Sequence, residues 1–251
     1  MKRVLAMAAA AGMVLALAPR ALAQTADEIV EKHLAAMGGR AALSKLTSQV
    51  TSGTILVSAQ GADIPGTIEI SKKAPNLSRT LMKLDLSAFG GSEMIVDQRC
   101  DGKAAFASNS MQGDREITGS QLQNMLNASF PSPLLAYKEA GAKVELQGQD
   151  KVDGRPVVVL LYAPKSGPAS KLFLDAETYL VLRSATKLDV PEAGGEIEQI
   201  TDVSDYRAID GVKTAFAVKV TGPGQIVAIT LAKVDFNVPI DDAVFSRPGG
   251  K

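Results

Sequence analysis

Two residue types that carry acid–base, nucleophilic or metal chemistry occur once each in this 251-residue chain, as His33 and Cys100. A Ser-His-Asp or Cys-His arrangement would have to recruit His33 as its base. That histidine lies beside Lys32 on an amphipathic helical pattern and reads as exposed, without a partner to orient it. One histidine and one cysteine do not make a zinc site, and the acidic residues are scattered rather than spaced as an oxygen cage. Cys100 reads as the filler of a small core position. Asp202, Asp205 and Tyr206 could suggest a carboxylate site, but a solvated strand face accounts for them as well. Gly222-Pro223-Gly224 is the only G-x-G. Val227 stands where a dinucleotide fingerprint needs its third glycine, and the pattern that follows is a strand rather than a helix. No catalytic residue, metal or cofactor is assigned.

What remains is chemistry of contact. Beyond residue 23 the methionines are Met37, Met82, Met94, Met111 and Met125. Met82 and Met94 alternate with Leu84 and Val96 on strand-like runs, and Leu122, Met125 and Leu126 share one face of a helical run. A flexible thioether suits a pocket that must accept chains of varying shape. These seven residues, Met82, Leu84, Met94, Val96, Leu122, Met125 and Leu126, are the candidate lining of an apolar cavity and its lid. A filled core between sheet and helices is the open alternative.

The elements that must position them are mostly strands. Leu180, Leu182 and Leu188 occupy even positions while Arg183, Lys187 and Asp189 occupy odd ones, so Lys171–Asp189 reads as a hairpin turning at Asp175–Thr178. Similar runs are expected at about 49–57, 67–73, 79–86, 93–99, 103–108, 143–146, 156–162, 196–206, 213–220 and 225–236. Asp-Gly pairs at Asp101-Gly102, Asp153-Gly154 and Asp210-Gly211 fit two-residue turns between them. Roughly a dozen strands in an up-and-down order predict a strongly curved antiparallel sheet. Thr25 and Glu28 form a capping-box pattern for a helix ending at Gly38-Gly39, and a second short helix is expected from Arg40 to Leu46. The β pattern breaks between Ile117 and Gly141. Thr118 is positioned to cap a helix there, and Phe130-Pro-Ser-Pro133 separates it from a second helical piece with Leu134, Leu135 and Tyr137. That helical hairpin is the natural lid. Pro239–Phe245 is expected to pack back as a final turn.

The first residues are Lys2 and Arg3, an apolar run from Val4 to Leu17, then Ala21-Leu-Ala23. The run is short for a membrane span, and the small residues match a signal-peptidase site after Ala23. Removing the leader takes away three basic residues and no acids, so 27 basic and 27 acidic residues become 24 and 27. The resulting charge of −3, without a basic run, gives no support for a nucleic-acid or anionic-membrane partner. Cys100 cannot form an internal disulfide and does not follow the leader, where a lipid-modified cysteine would lie. A single soluble domain of residues 24–251, without stable membrane insertion, is expected to rely on an ordinary core.

The leader, the helix Ala26–Gly39 with Ala41–Leu46, the Leu172-Phe-Leu-Asp175 hairpin, Asp205-Tyr-Arg-Ala-Ile-Asp-Gly211 and the terminal Asn237–Phe245 together resemble the periplasmic lipoprotein-carrier superfamily, the Lol-type outer-membrane lipoprotein-sorting proteins and their relatives. The resemblance implies a mainly β fold with an α lid: an unclosed antiparallel half-barrel of about eleven strands, covered by an N-terminal helix and a helical insert. It also implies a non-enzymatic periplasmic role, in which a monomer suffices, with a hydrophobic ligand or an acylated protein as partner. A cell-envelope interaction module with a filled interior stays open beside it, as does, with less support, a hydrolase. The leader generates one direct expectation. Intact-mass measurement on protein recovered from the periplasm should give a chain beginning at Gln24, and a species there retaining Met1–Ala23 would contradict the reading.

Overall fold

Alternating apolar and polar residues put one face of each strand into a core and the other into water, and thirteen strands use this pattern in one antiparallel sheet. The computed structural model describes residues 24–190 and 195–247. The leader and its cleavage site lie outside them. In chain order the strands are β1 Ser48–Ala59, β2 Ala62–Lys73, β3 Leu77–Asp85, β4 Glu93–Cys100, β5 Ala105–Asn109, β6 Gly113–Ile117, β7 Lys143–Val152, β8 Arg155–Ala163, β9 Ser170–Asp175, β10 Val181–Val190, β11 Gly195–Ile209, β12 Val212–Gly222 and β13 Gln225–Phe236. The sequence pattern located twelve of them. The one it passed over is β6, where Asp114, Arg115 and Glu116 mask the alternation.

Across the sheet the order is β6-β5-β4-β3-β2-β1-β13-β12-β11-β10-β9-β8-β7. The first and last strands therefore pair at the centre, and the mid-chain strands β6 and β7 become the two edges. The sheet is not closed into a barrel. Register assigns the faces. Ile55 sits opposite Ile229 and Gly66, Gly66 opposite Leu84, and Leu84 opposite Met94, so these residues share one side. The same parity carries Ile117 on β6 and Val158, Leu160 and Leu174 on the other arm. All the α-helical cover lies on this face.

Helix α1, Ala26–Ala36, has the expected capping box: Glu28 N–H donates to the Thr25 hydroxyl and Thr25 N–H donates to the Glu28 carboxylate. It buries Ile29, Val30 and Leu34 against Val158, Leu160 and Leu174. Helix α2 is one turn, Arg40–Leu43, shorter than expected, and Leu43 and Leu46 extend the same core. Helix α3, Gly119–Asn127, covers the opposite arm. The expected second helix after Pro133 is absent. Residues 133–141 run as successive turns that still bury Leu134 and Tyr137, together with Phe130 just ahead of them, against α1 and the sheet. The C-terminal 3-10 turn Asp242–Phe245 packs on the other face of the sheet, and Phe245 is fully buried.

The turns also refine the expectation. Asp153-Gly154 and Asp210-Gly211 have both residues at positive φ, as a two-residue hairpin turn requires. At Asp101-Gly102 only the glycine does. There Asp101 Oδ1 accepts from the N–H groups of Lys103 and Ala104 and builds a longer loop.

The central β1–β13 pairing carries a bulge in which Ala232 is the extra residue, beside Gly53. A Cβ on Gly53 would lie 2.2 Å from the Thr230 carbonyl oxygen and 2.8 Å from Leu231 Cα, both backbone atoms. Gly53→Ala should lower unfolding stability by about 1–3 kcal/mol in urea titration, as overpacking does. Gly222→Ala, where a Cβ meets nothing within 4 Å, is the control and should stay within about 0.5 kcal/mol.

Candidate ligand-binding cavity

The segment 118–142 connects β6 to β7, the two edges of the sheet, so it must cross the helix-covered face from one arm to the other. At the start of α3, Ser120 Oγ donates to the Asp189 carbonyl (2.7 Å) and accepts from Asp189 N–H (3.1 Å) on β10. At its end, Asn127 Nδ2 donates to the Ser166 carbonyl (2.8 Å) and Asn76 Nδ2 to the Leu126 carbonyl (3.3 Å). Thr118 occupies the N-cap position but makes no side-chain cap bond, contrary to expectation. No residue of α3 is buried. The helix is held by a few polar ties and one apolar stripe, which marks it as an element that opens more readily than the sheet beneath.

Beneath it is a cavity of ≈ 430 Å³. Met125, Gln121 and Asn124 of α3 form its roof, with Gln98, Arg115 and Ile117 on one side and Leu188, Ile197, Gln199, Val220 and Val227 on the other. Leu122, Met125 and Leu126 pack together on Cys100, Ala105, Ala107 and Ile117. Met82, Leu84 and Met94 sit in a separate cluster with Ile55, Ile68 and Val227. Val96 is on the same face, opposite Met82. The structure thus gathers the sequence-selected residues into two groups. Met125 lines the cavity directly, and Val227 belongs both to the cavity wall and to the Met82–Leu84–Met94 cluster.

Sequence reasoning passed over the amides. Gln98, Gln121, Asn124, Gln199 and Gln225 all line the cavity, as does Arg115. The available signals were weak ones. Arg115 is two positions from apolar Ile117 on one strand face, and Gln121 and Asn124 lie one turn before and one residue before Met125 on one helix.

The chemistry-bearing residues lie elsewhere. His33 is buried at 6% exposure, a correction to its expected exposed place, because helix α1 turns it onto the β9–β10 loop. Its Nδ1–H donates to the Tyr179 carbonyl (2.9 Å) in the neutral tautomer that bond favours. Burial lowers its pKa from the ordinary value, outweighing that hydrogen bond, which favours the protonated ring. Cys100 is fully buried and burial pushes its thiol up. Asp202 pairs with Arg183 at 2.5 Å, while the Tyr206 hydroxyl donates to the Val181 carbonyl and is pushed up by burial. Among the described residues no three His, Cys, Asp or Glu side chains converge as metal ligands, and no helix is long and apolar enough to cross a membrane.

No family model matches the chain, and no curated protein matches it by sequence. Solved structures do match by shape. A LolA superfamily protein from Nitrosomonas europaea aligns over 90% of this chain and 99% of its own at TM-score 0.58 and 12% identity. A DUF1329 family protein from Desulfovibrio piger aligns over 88% and 95% at 0.57 and 15%. A putative outer membrane lipoprotein-sorting protein domain from Vibrio parahaemolyticus aligns over 87% and 95% at 0.55 and 12%. The chain shares the fold of these proteins. On this frame the unclosed sheet and its helical cover agree with the architecture expected from sequence.

His33 gives the frame a pH dependence of known sign. Its folded pKa lies below the unfolded value near 6.5, so its contribution is complete above pH 6.5 and is lost as pH falls and the unfolded chain takes up the proton. The slope from this one group is at most about 1.4 kcal/mol per pH unit. Urea titrations between pH 7.5 and 5 should show that loss in wild type and a flatter profile in His33→Gln. Equal slopes in both would refute the assignment.

Proposed function

We propose that the protein is an exported, non-enzymatic carrier or binding protein for a lipid or a lipid-modified partner, and that α3 is the lid of its ligand site. The observation that carries this reading is the ≈ 430 Å³ cavity between an unburied helix and a sheet face of mixed apolar and polar side chains, a size within the range of small-molecule sites. An acyl chain would lie against Leu122, Met125 and Leu126 above, and run toward Met82, Leu84, Met94 and Val96 on the sheet. Export is supported by the leader pattern ahead of Gln24. The lipoprotein-sorting description of the Vibrio domain, whose fold this chain shares, supports the class of ligand.

One observation favours a second reading, an envelope interaction module with a filled interior. Ile55, Ile68 and Leu84 are 2–4% exposed at the centre of the sheet. Much of the apolar face there is closed by its own side chains. The two readings differ in whether an apolar chain enters.

Each buried methylene contributes about 0.8 kcal/mol, so about a dozen would offer roughly 10 kcal/mol before ordering costs. Replacing both Leu122 and Met125 by Ser should reduce retention of a fluorescent fatty acid by an order of magnitude or more while moving Tm only a few degrees. If delipidated, refolded wild type takes up no such probe, and protein isolated from cells carries no lipid by mass spectrometry, the filled-interior module replaces the carrier.

A further inference from the structure

The cavity under α3 is lined by polar as well as apolar side chains, and the polar ones speak to the ligand's head. Its polar side chains are the amides of Gln98, Gln121, Asn124, Gln199 and Gln225 and the guanidinium of Arg115. Among the described residues none of the six donates to or accepts from another side chain or the backbone through its own side chain. Nor is any of their polar atoms a sealed, partnerless one, because no fully buried side-chain nitrogen or oxygen lacks a partner. They reach open cavity.

Register shows why Arg115 stays unpaired. Thr80, Gln98, Ala107 and Arg115 stand in one row across β3–β6, and small Ala107 leaves the guanidinium room above it. On this face of β1–β6, and of β10–β13 ahead of the Asp205 bulge, no described position is Asp or Glu. The acids of these strands fall on the other face, where Asp97 meets Arg79 and Arg99, Asp202 meets Arg183 and Glu196 meets Lys187. Helix α3, GSQLQNMLN, carries no charge at all. The two cationic side chains on this stretch of the face are Arg115 and Lys72, and loss of hydration pushes the Lys72 ammonium down. Arg115 lines the cavity and is itself exposed, and a planar guanidinium on a carboxylate-free face is matched to a carboxylate or phosphate oxyanion, which it binds through two parallel N–H donors. The amides supply donors and acceptors for the rest of a polar head, and Val227 leads from them to the apolar Ile55–Leu84 cluster.

Building on the carrier reading, we infer that the cavity under α3 is selective for a single-chain amphiphile with an oxyanionic head, which Arg115 holds while the chain lies along the apolar strip. The test uses the full exported chain, delipidated, with 11-(dansylamino)undecanoate and its methyl ester as probes. Wild type should bind the acid about tenfold or more tightly than the ester, as expected for a charge-assisted contact. Arg115→Gln should remove that preference without weakening the ester, and Arg115→Lys should restore part of it. Competition with laurate and with lauroyl lysophosphatidate distinguishes a carboxylate head from a phosphate head, and both results support the inference. Displacement of the probe by millimolar inorganic phosphate alone would mean a bare-anion site and overturn it. Equal binding of acid and ester by wild type, or an equal loss of both in Arg115→Gln, overturns this inference and leaves the carrier reading standing. Binding of neither probe overturns both.

Discussion

The pairing of β1 with β13 is the constraint from which the rest of the architecture follows. It joins the two ends of the described chain along eleven register positions at the centre of the sheet. Two up-and-down meanders then spread outward from it, and the middle of the chain is left at the two outer edges. A peptide joining those edges has to cross the face between them, so the lid is a topological consequence rather than an ornament. It explains why the sequence changes character between Ile117 and Gly141. It also explains why this pairing tolerates only glycine at residue 53, where the two backbones meet around the bulge.

Charge is sorted by the same geometry. With a two-residue repeat, every acid placed next to an apolar residue is sent to the opposite face. Ion pairs accordingly line the uncovered side. Most are exposed and contribute little individually. Asp97 and Asp175 are the buried exceptions. Burial alone would raise each carboxyl, but Arg79 and Arg99 hold Asp97, and the hydrogen bonds of Thr178 and Glu177 with the charge of Arg155 hold Asp175, below the ordinary range. The covered side is divided in its turn. Around α1 it is a filled core of Ile, Val, Leu and Tyr. Under α3 the helix brings only Leu122, Met125 and Leu126 to the sheet, and its amides leave space that no side chain fills.

Much of this was legible in the sequence, for reasons that differ by element. Strands with unbroken alternation, such as β2 and β3, announced both their existence and their faces. In β10, by contrast, a bulge sends Leu182 to Val157, Val159 and Phe173 on the face opposite Leu188, and the bulge at Ala232 shifts the faces of β13. The capping box at Thr25 and Glu28 is a local signal and appeared as expected. Strand β6 hid because Asp114, Arg115 and Glu116 follow one another at a sheet edge, and only Ile117 at its end is buried. His33 looked exposed because helix α1 is capped by a loop from the far arm, a contact 146 residues away that no local pattern encodes. The cavity residues divide similarly. The methionines and leucines could be picked by periodicity, but the amides and Arg115 acquire meaning only when β6, β11, β13 and α3 converge. Polar residues on a concave face look like solvated ones until the face is closed.

The central claim is that a ligand occupies the covered side of the sheet beneath α3. The most direct measurement places a photo-crosslinking amino acid at Met125, in the cavity roof, and in a second variant at Leu56, which points from β1 to the opposite face. Each variant is irradiated in cells and analysed by mass spectrometry. An acyl-chain adduct at Met125 with none at Leu56 is the result the account predicts. No adduct at Met125, or equal labelling at both positions, would contradict it.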